Sequence, residues 1–157
     1  MDAVVVGERR FEVRRAVEED VPALVALLTD DPLGAGRESG EMGPYLRAFR
    51  EIDDDPRHLL IAVRDGAGDV VGTMQLTLLP GLSRAGATRL QIEAVRVAAD
   101  ARGGGLGQAL LDWAHDYGRA RGASLAQLTT DRTRTDAHRF YERAGYAASH
   151  VGFKRPL

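Results

Sequence analysis

The sequence predicts an α+β fold: a mixed, mostly antiparallel sheet flanked by helices, in the order β-α-α-β-β-β-α-β-α-β. Three observations carry this expectation. Short runs alternate apolar and polar residues, as half-buried strands do, and glycine- or proline-bearing turns separate them. Longer segments place apolar residues three and four apart, as amphipathic helices do. No low-complexity or linker stretch divides the 157 residues, so one domain spanning 1–157 is expected.

Phe11 to Ala16 alternates apolar and charged side chains and reads as the first strand. Glu18-Glu19-Asp20-Val21-Pro22 then opens a helix, because acidic residues and an early proline suit a first turn. Val21, Leu24, Val25 and Leu28 form its stripe. Residues 30–41 have the composition of an irregular loop. Met42, Tyr45, Leu46, Phe49 and Ile52 make a second helical stripe, closed by Asp53-Asp54-Asp55-Pro56. His58 to Arg64 and Val70 to Leu79 read as strands joined by the hairpin turn Asp65-Gly66-Ala67-Gly68-Asp69. A loop over 80–87 leads to a further strand, Arg89 to Val97. Leu106, Ala109, Leu110, Trp113 and Tyr117 form a third helical stripe, and Leu125 to Thr130 a short strand. Ala137, Phe140, Tyr141 and Ala144 lie on a last helix that Gly145 closes, and Tyr146 to Phe153 reads as a final strand or strand pair.

Composition removes several function classes. The chain is 44% hydrophobic and 28% charged, ordinary for a soluble globular protein, and its net charge of -2 offers no basic surface for nucleic acid. It has no cysteine, which excludes disulfides, thiolate zinc sites and a cysteine nucleophile. No apolar run approaches the roughly 20 residues of a membrane span. Met1-Asp2-Ala3-Val4-Val5-Val6 is too short and too acidic for a secretory leader. A cytoplasmic protein with no metal and no membrane partner is the expectation.

The most informative stretch is Asp100-Ala101-Arg102-Gly103-Gly104-Gly105-Leu106-Gly107. A strand runs into a glycine-dense turn, and the turn opens a helix. The first amides of a helix lack intrahelical acceptors and sit at the positive end of its dipole. Glycines let a diphosphate approach without meeting a β-carbon, and Arg102 adds a positive rim. A Walker A loop is excluded, because Gln108 follows Gly107 where Lys would stand. A dinucleotide fingerprint is excluded too, because Leu110 occupies its third glycine position. The preceding strand changes phase: Leu90 and Ile92 share one face, but Val95 and Val97 share the other. A β-bulge near Glu93-Ala94 produces such a slip; a strand buried on both faces would also tolerate it.

Arg102-x-x-Gly105-x-Gly107 resembles the Gln/Arg-x-x-Gly-x-Gly/Ala signature of the GNAT superfamily of N-acetyltransferases. Ile92-Glu93-Ala94-Val95-Arg96-Val97 is similar to that family's fourth strand. Asp136-Ala137-His138-Arg139-Phe140-Tyr141-Glu142-Arg143-Ala144-Gly145-Tyr146 is similar to its later helix. The motifs occur in family order across nearly the whole chain. With the tail through His150, they resemble a branch that includes aminoalkylphosphonate acetyltransferases. The resemblance implies an acetyl-CoA-dependent acyltransferase. Its coenzyme contacts would be the backbones of Val95 and Val97 for the pantetheine arm, with Arg96 between them. Arg102, Gly103, Gly104, Gly105, Leu106 and Gly107 would serve the pyrophosphate. Asp131, Ala137, Phe140 and Tyr141 would lie along the coenzyme. The family often has Asn where Asp131 stands, and an ionised Asp donates no hydrogen bond.

Two catalytic candidates follow from the resemblance. Tyr141 lies where the family commonly places a phenol beside the coenzyme sulfur, and a phenol can protonate a departing thiolate; it also fits an aromatic core stripe. Glu93 is the base candidate, since a carboxylate within a largely apolar strand is costly unless paired or used; a salt bridge to Arg89 or Arg96 is the other reading. His138 falls on the polar side of its helix. His150 is either near the acceptor or on a surface strand.

The implied acceptor is a primary amine of a small molecule. The alternatives are a protein lysine or N-terminus, or a non-catalytic acyl-CoA-binding regulatory domain. Acceptor recognition is expected in residues 30–44, the 80–88 loop and the C-terminal strands. There Asp30, Asp31, Glu38 and Glu41 suit a cation, while Arg84 and Lys154 suit an acid. Family members are often homodimers, with the last strand a place for pairing.

Overall fold

A computed structural model describes residues 2–30 and 32–157; Asp31 lies outside the described residues. Two compact units divide the chain, residues 1–127 and 128–157.

In the first unit, β1 (Asp2–Val6) and β2 (Arg9–Arg15) form a hairpin with Val4 opposite Phe11. Gly7 has φ 60° at the first turn position, which fits a two-residue hairpin loop led by glycine. β3 (His58–Arg64), β4 (Val70–Pro80) and β5 (Thr88–Val97) follow, each antiparallel to its neighbour. β6 (Ala123–Leu128) completes the sheet order β1-β2-β3-β4-β5-β6. Every strand is beside its neighbour in sequence, so the sheet is built from local connections.

Helix α1 (Val21–Thr29) lies against β4 and β5, and α2 (Met42–Asp54) against β3. Their buried stripes meet Ala62: Val21, Leu24, Val25 and Phe49 form one cluster with Ala16. Helix α3 (Leu106–Ala120) packs on β1 and β5. Its buried residues Leu106, Leu110, Leu111 and Ala114 recur at helical spacing, one position off part of the expected stripe. Ile61 and Val63 alternate with Ala62 on β3, and all three are fully buried, so helices cover both faces of the sheet centre.

Asp20 ties the start of α1 to the sheet. It is 1% exposed. Its Oδ2 accepts from the Val17 N–H at 2.9 Å, and its Oδ1 from Arg14 Nη2 at 2.9 Å and Arg64 Nη2 at 2.6 Å. One carboxylate thus joins β2, β3 and the helical turn Glu18–Asp20. Burial alone would raise its pKa. The Val17 N–H and the Arg64 and Arg14 guanidinium groups outweigh that and hold it below the ordinary aspartate value.

In the second unit, α4 (Thr135–Arg143) is closed by Gly145 at φ 89°, whose N–H donates to Glu142 O at 3.0 Å. Two expectations are corrected. The chain begins with an additional strand, β1, and β2 starts two residues before Phe11. The final strand over Tyr146 to Phe153 is not formed. Ala147-Ala148-Ser149 has low β propensity, and Ser149 N–H donates back to Ala147 O at 2.9 Å, which breaks an extended path. Val151 and Phe153 are exposed, so no apolar face compensates the backbone ordering. The pairing surface expected there is absent as a strand. Among the described residues, no helix is long and apolar enough to cross a membrane.

Asp20→Asn should lower unfolding free energy by about 2–3 kcal/mol at neutral pH, because two partly exposed arginines lose a buried anionic partner. The native Asp20 pKa is depressed, so its contribution is full above the unfolded value and lost as pH falls through the native one. The gap between wild type and variant in urea titrations should therefore narrow as pH drops below about 4.

Candidate functional site

The one-residue phase slip in β5 is a bulge. Thr73 pairs with Arg96 and Gln75 with Glu93, so Ala94 and Val95 together oppose Met74. Ala94 takes φ 52°, the left-handed region that a residue with a β-carbon enters at a cost of about 1 kcal/mol or more. Beyond the bulge, Ala98 N–H donates to Val71 O at 2.8 Å. Antiparallel pairing alternates, so Arg96 turns its backbone groups toward β4, while Val95 and Val97 turn theirs away. The strand therefore offers the N–H and C=O of Val95 and Val97 outside the ladder. Two arginine side chains reach these carbonyls: Arg96 Nη1 donates to Val95 O and Arg102 Nε to Val97 O, both at 2.8 Å.

The strand leads through a helical turn, Ala99–Ala101, to Arg102 and the glycines. Gly103 and Gly105 have φ 80° and 96°, so chain direction alone requires glycine at both. Gly104 differs. Its φ is not left-handed, and a β-carbon there would meet nothing within 4 Å. Neither conformation nor crowding inside the chain accounts for it. The first hydrogen bond of α3 is Ala109 N–H to Gly105 O at 3.1 Å. The amides of Leu106, Gly107 and Gln108 thus have no intrahelical acceptor, and no side chain caps them. Gln108 was missed by the sequence reading, though the offset from the N-cap identifies it. The Leu106 side chain is buried in the core, which leaves only its amide to the site. An uncapped helix mouth beside open glycine backbone and Arg102 fits an anion such as a diphosphate.

Glu93 is exposed, so the burial argument for its use falls away. It stands at the bulge as an accessible carboxylate. Asp30, expected on the acceptor side, instead lies 3.7 Å from Arg102 Nη2. Glu38 accepts from the Tyr45 hydroxyl at 2.6 Å, which ties the 30–41 loop to α2. Arg84 is exposed in the β4–β5 loop, in left-handed conformation at φ 55°.

The second unit gathers the remaining candidates. Tyr141 meets Phe140 and Tyr146 edge-on, with ring centroids 5.2 and 5.9 Å away. The Tyr146 phenol is pushed up to about 12 by burial and by Tyr141, so it stays protonated at any ordinary pH. Sequence reasoning used Tyr146 only as the end of a pattern and missed this pairing. Asp131 Oδ1 accepts from Thr133 N–H and Oγ1 at 3.0 and 2.7 Å, which shapes the loop before α4. His138 is half-buried, with Nε2 2.9 Å from Asp131 O, and so anchors that loop. Ala137 lies on the same helix, half-buried. His150 is exposed against Ser149 Oγ in the tail. Among the described residues, no group of three or more His, Asp or Glu side chains could hold a metal ion.

Comparison with known proteins agrees with this geometry. The model of the acetyltransferase (GNAT) family matches residues 21–146. An aminoalkylphosphonate N-acetyltransferase of Salmonella typhimurium is 34% identical over 147 residues, 93% of this chain and 91% of its own. A crystal structure of a transcriptional regulator from Bacillus halodurans superposes with a TM-score of 0.88 at 43% identity, covering 94% of this chain and 99% of that one. Glucosamine-6-phosphate N-acetyltransferase from Arabidopsis thaliana shares the fold, with a TM-score of 0.78 at 20% identity, covering 94% and 98%.

The bulge makes a direct forecast for stability. Ala94→Gly removes the left-handed penalty and should raise unfolding free energy by up to about 1 kcal/mol, whereas Ala94→Val should lower it by more than that. Thermal melts of the two variants beside wild type read both signs.

Proposed function

The chain belongs to the acetyltransferase (GNAT) family and is an acyltransferase, and from that premise we propose that it moves the acetyl group of acetyl-CoA to a primary amine of a small molecule by direct attack in a ternary complex. The observation that carries the donor side is the uncapped mouth of α3 beside Gly104. In this reading the Leu106, Gly107 and Gln108 amides hold the pyrophosphate, with Gly103, Gly104 and Gly105 leaving room and Arg102 adding charge. The backbones of Val95 and Val97 pair with the pantetheine arm, and Arg96 holds the strand edge between them. Asp131, Ala137 and Phe140 lie along the coenzyme. Residues 1–157 act as one catalytic domain in a cytoplasmic homodimer.

Acetyl-CoA supplies an activated thioester. The amine nitrogen forms a bond to the carbonyl carbon, and the carbon–sulfur bond breaks. Glu93 takes the proton the amine gives up, through water, as its exposure suits. A backbone N–H freed at the Ala94 bulge polarises the carbonyl oxygen. Tyr141 gives its hydroxyl proton to the departing thiolate and regains one from solvent.

The name of the Salmonella relative puts aminoalkylphosphonates first among acceptors, and exposed Arg84 and Lys154 supply cations suited to a phosphonate. The Bacillus relative's description as a transcriptional regulator favours a second reading, coenzyme binding without turnover. Thiol release from acetyl-CoA, measured with aminoalkylphosphonates, amino sugars, polyamines and a lysine peptide, separates them. Release with a small amine supports the transferase. Release with the peptide alone moves the acceptor to protein, and none with any acceptor leaves only the binding role.

Gly104→Glu should weaken coenzyme A binding at least about a hundredfold by calorimetry, because a carboxylate would stand beside the pyrophosphate. The substitution is unstrained at this φ, which Gly105→Glu is not. Tyr141→Phe should lower kcat by about a hundredfold while coenzyme affinity stays within about threefold. A kcat equal to wild type would take Tyr141 out of the chemistry.

A further inference from the structure

Arg102 belongs to the signature turn, yet its side chain is engaged elsewhere. Its Nε donates to Val97 O at 2.8 Å, and its Nη2 lies 3.7 Å from Asp30 Oδ2 at the end of α1. Val97 is one of the two residues whose backbone groups face out of the ladder beyond the bulge. The same carbonyl is therefore the partner of Arg102 and the expected partner of a pantetheine amide. A carbonyl can accept two hydrogen bonds, but the guanidinium and a pantetheine amide would compete for its outward approach. The guanidinium and Asp30 are each more than half exposed, so the closed arrangement is held by weak, screened contacts. A diphosphate at the helix mouth, a few residues along the chain, offers Arg102 a stronger charge-assisted partner.

We infer that Arg102 is an exchange latch: it covers the Val97 carbonyl until a diphosphate draws it to the mouth of α3, and Asp30 is the positioning residue that holds it closed. The inference rests on the coenzyme reading above and adds a coupling to it. A donor that carries the diphosphate opens the strand edge by binding. A donor fragment without one must displace Arg102 unaided. The enzyme would thus favour whole coenzyme over its pantetheine fragment beyond the contacts the diphosphate itself makes.

The coupling predicts opposite signs for one substitution. Coenzyme A and pantetheine are titrated into wild type, Arg102→Ala and Asp30→Asn, with folding checked by circular dichroism. Arg102→Ala should weaken coenzyme A about tenfold, through loss of a charge-assisted contact. The same variant should bind pantetheine about threefold more tightly, because Val97 O is uncovered. Asp30→Asn should tighten coenzyme A about two- to threefold at low salt, with the gain fading at high salt. If Arg102→Ala weakens pantetheine or leaves it unchanged while wild type binds coenzyme A, the latch is overturned and the coenzyme site stands. If wild type binds neither molecule, the coenzyme reading fails and takes the latch with it.

Discussion

One extra residue in β5, set opposite Met74, governs how this sheet meets its surroundings. Up to Glu93 the strand obeys the ladder, with Leu90 and Ile92 in the core. After Ala94 the same strand presents the other phase, so its outward backbone groups fall on Val95 and Val97. The deformation is held by its neighbours: β4 pairs on both sides of it, and Ala98 returns to the ladder at Val71. The cost of a left-handed alanine is met by a fully paired frame, as strained functional backbone generally is. Without the slip, the peptide groups of Val95 and Val97 would turn toward β4 instead of away from it.

The glycine turn shows how conformation and ligand access divide a run of identical residues. Gly103 and Gly105 are required by φ alone and would be needed in any chain that makes this turn. Gly104 is not: its φ is ordinary and a β-carbon there would meet open space. A motif that reads as one feature is two, one set by backbone conformation and one left free by it. The aromatic trio Phe140, Tyr141 and Tyr146 has the same double character, packing partners that include two phenols.

The legible parts of the sequence were those where local signals agree with tertiary demand. The helix start at Glu18 to Pro22, the hairpin at Asp65 to Asp69 and the phase slip at Ala94 all follow from residue order, and each stands in the structure. The chain order of the motifs carries the family resemblance in residue order alone. The failures have physical reasons. Val4-Val5-Val6 is too short to declare a strand unless Gly7-Glu8 is recognised as a hairpin turn. The tail's Val151 and Phe153 alternate like a strand, but alternation is worth nothing without a face to bury. Glu93 looked buried because its neighbours are apolar, whereas alternation along β5 puts it on the face opposite Leu90 and Ile92, where it is exposed. Asp30 meeting Arg102 is a contact across 72 positions, and no periodicity encodes such a pair.

The first hairpin has a reach beyond its size. Val6 Cγ1 lies 3.4 Å from where a β-carbon on Gly105 would be, and Asp2 Oδ2 accepts from Trp113 Nε1 at 3.0 Å. The amino-terminal strand therefore forms the floor under the glycine turn and braces the helix that the turn opens. Trimming or crowding that end of the chain would loosen the turn and the first residues of α3, so a fusion partner is better attached elsewhere.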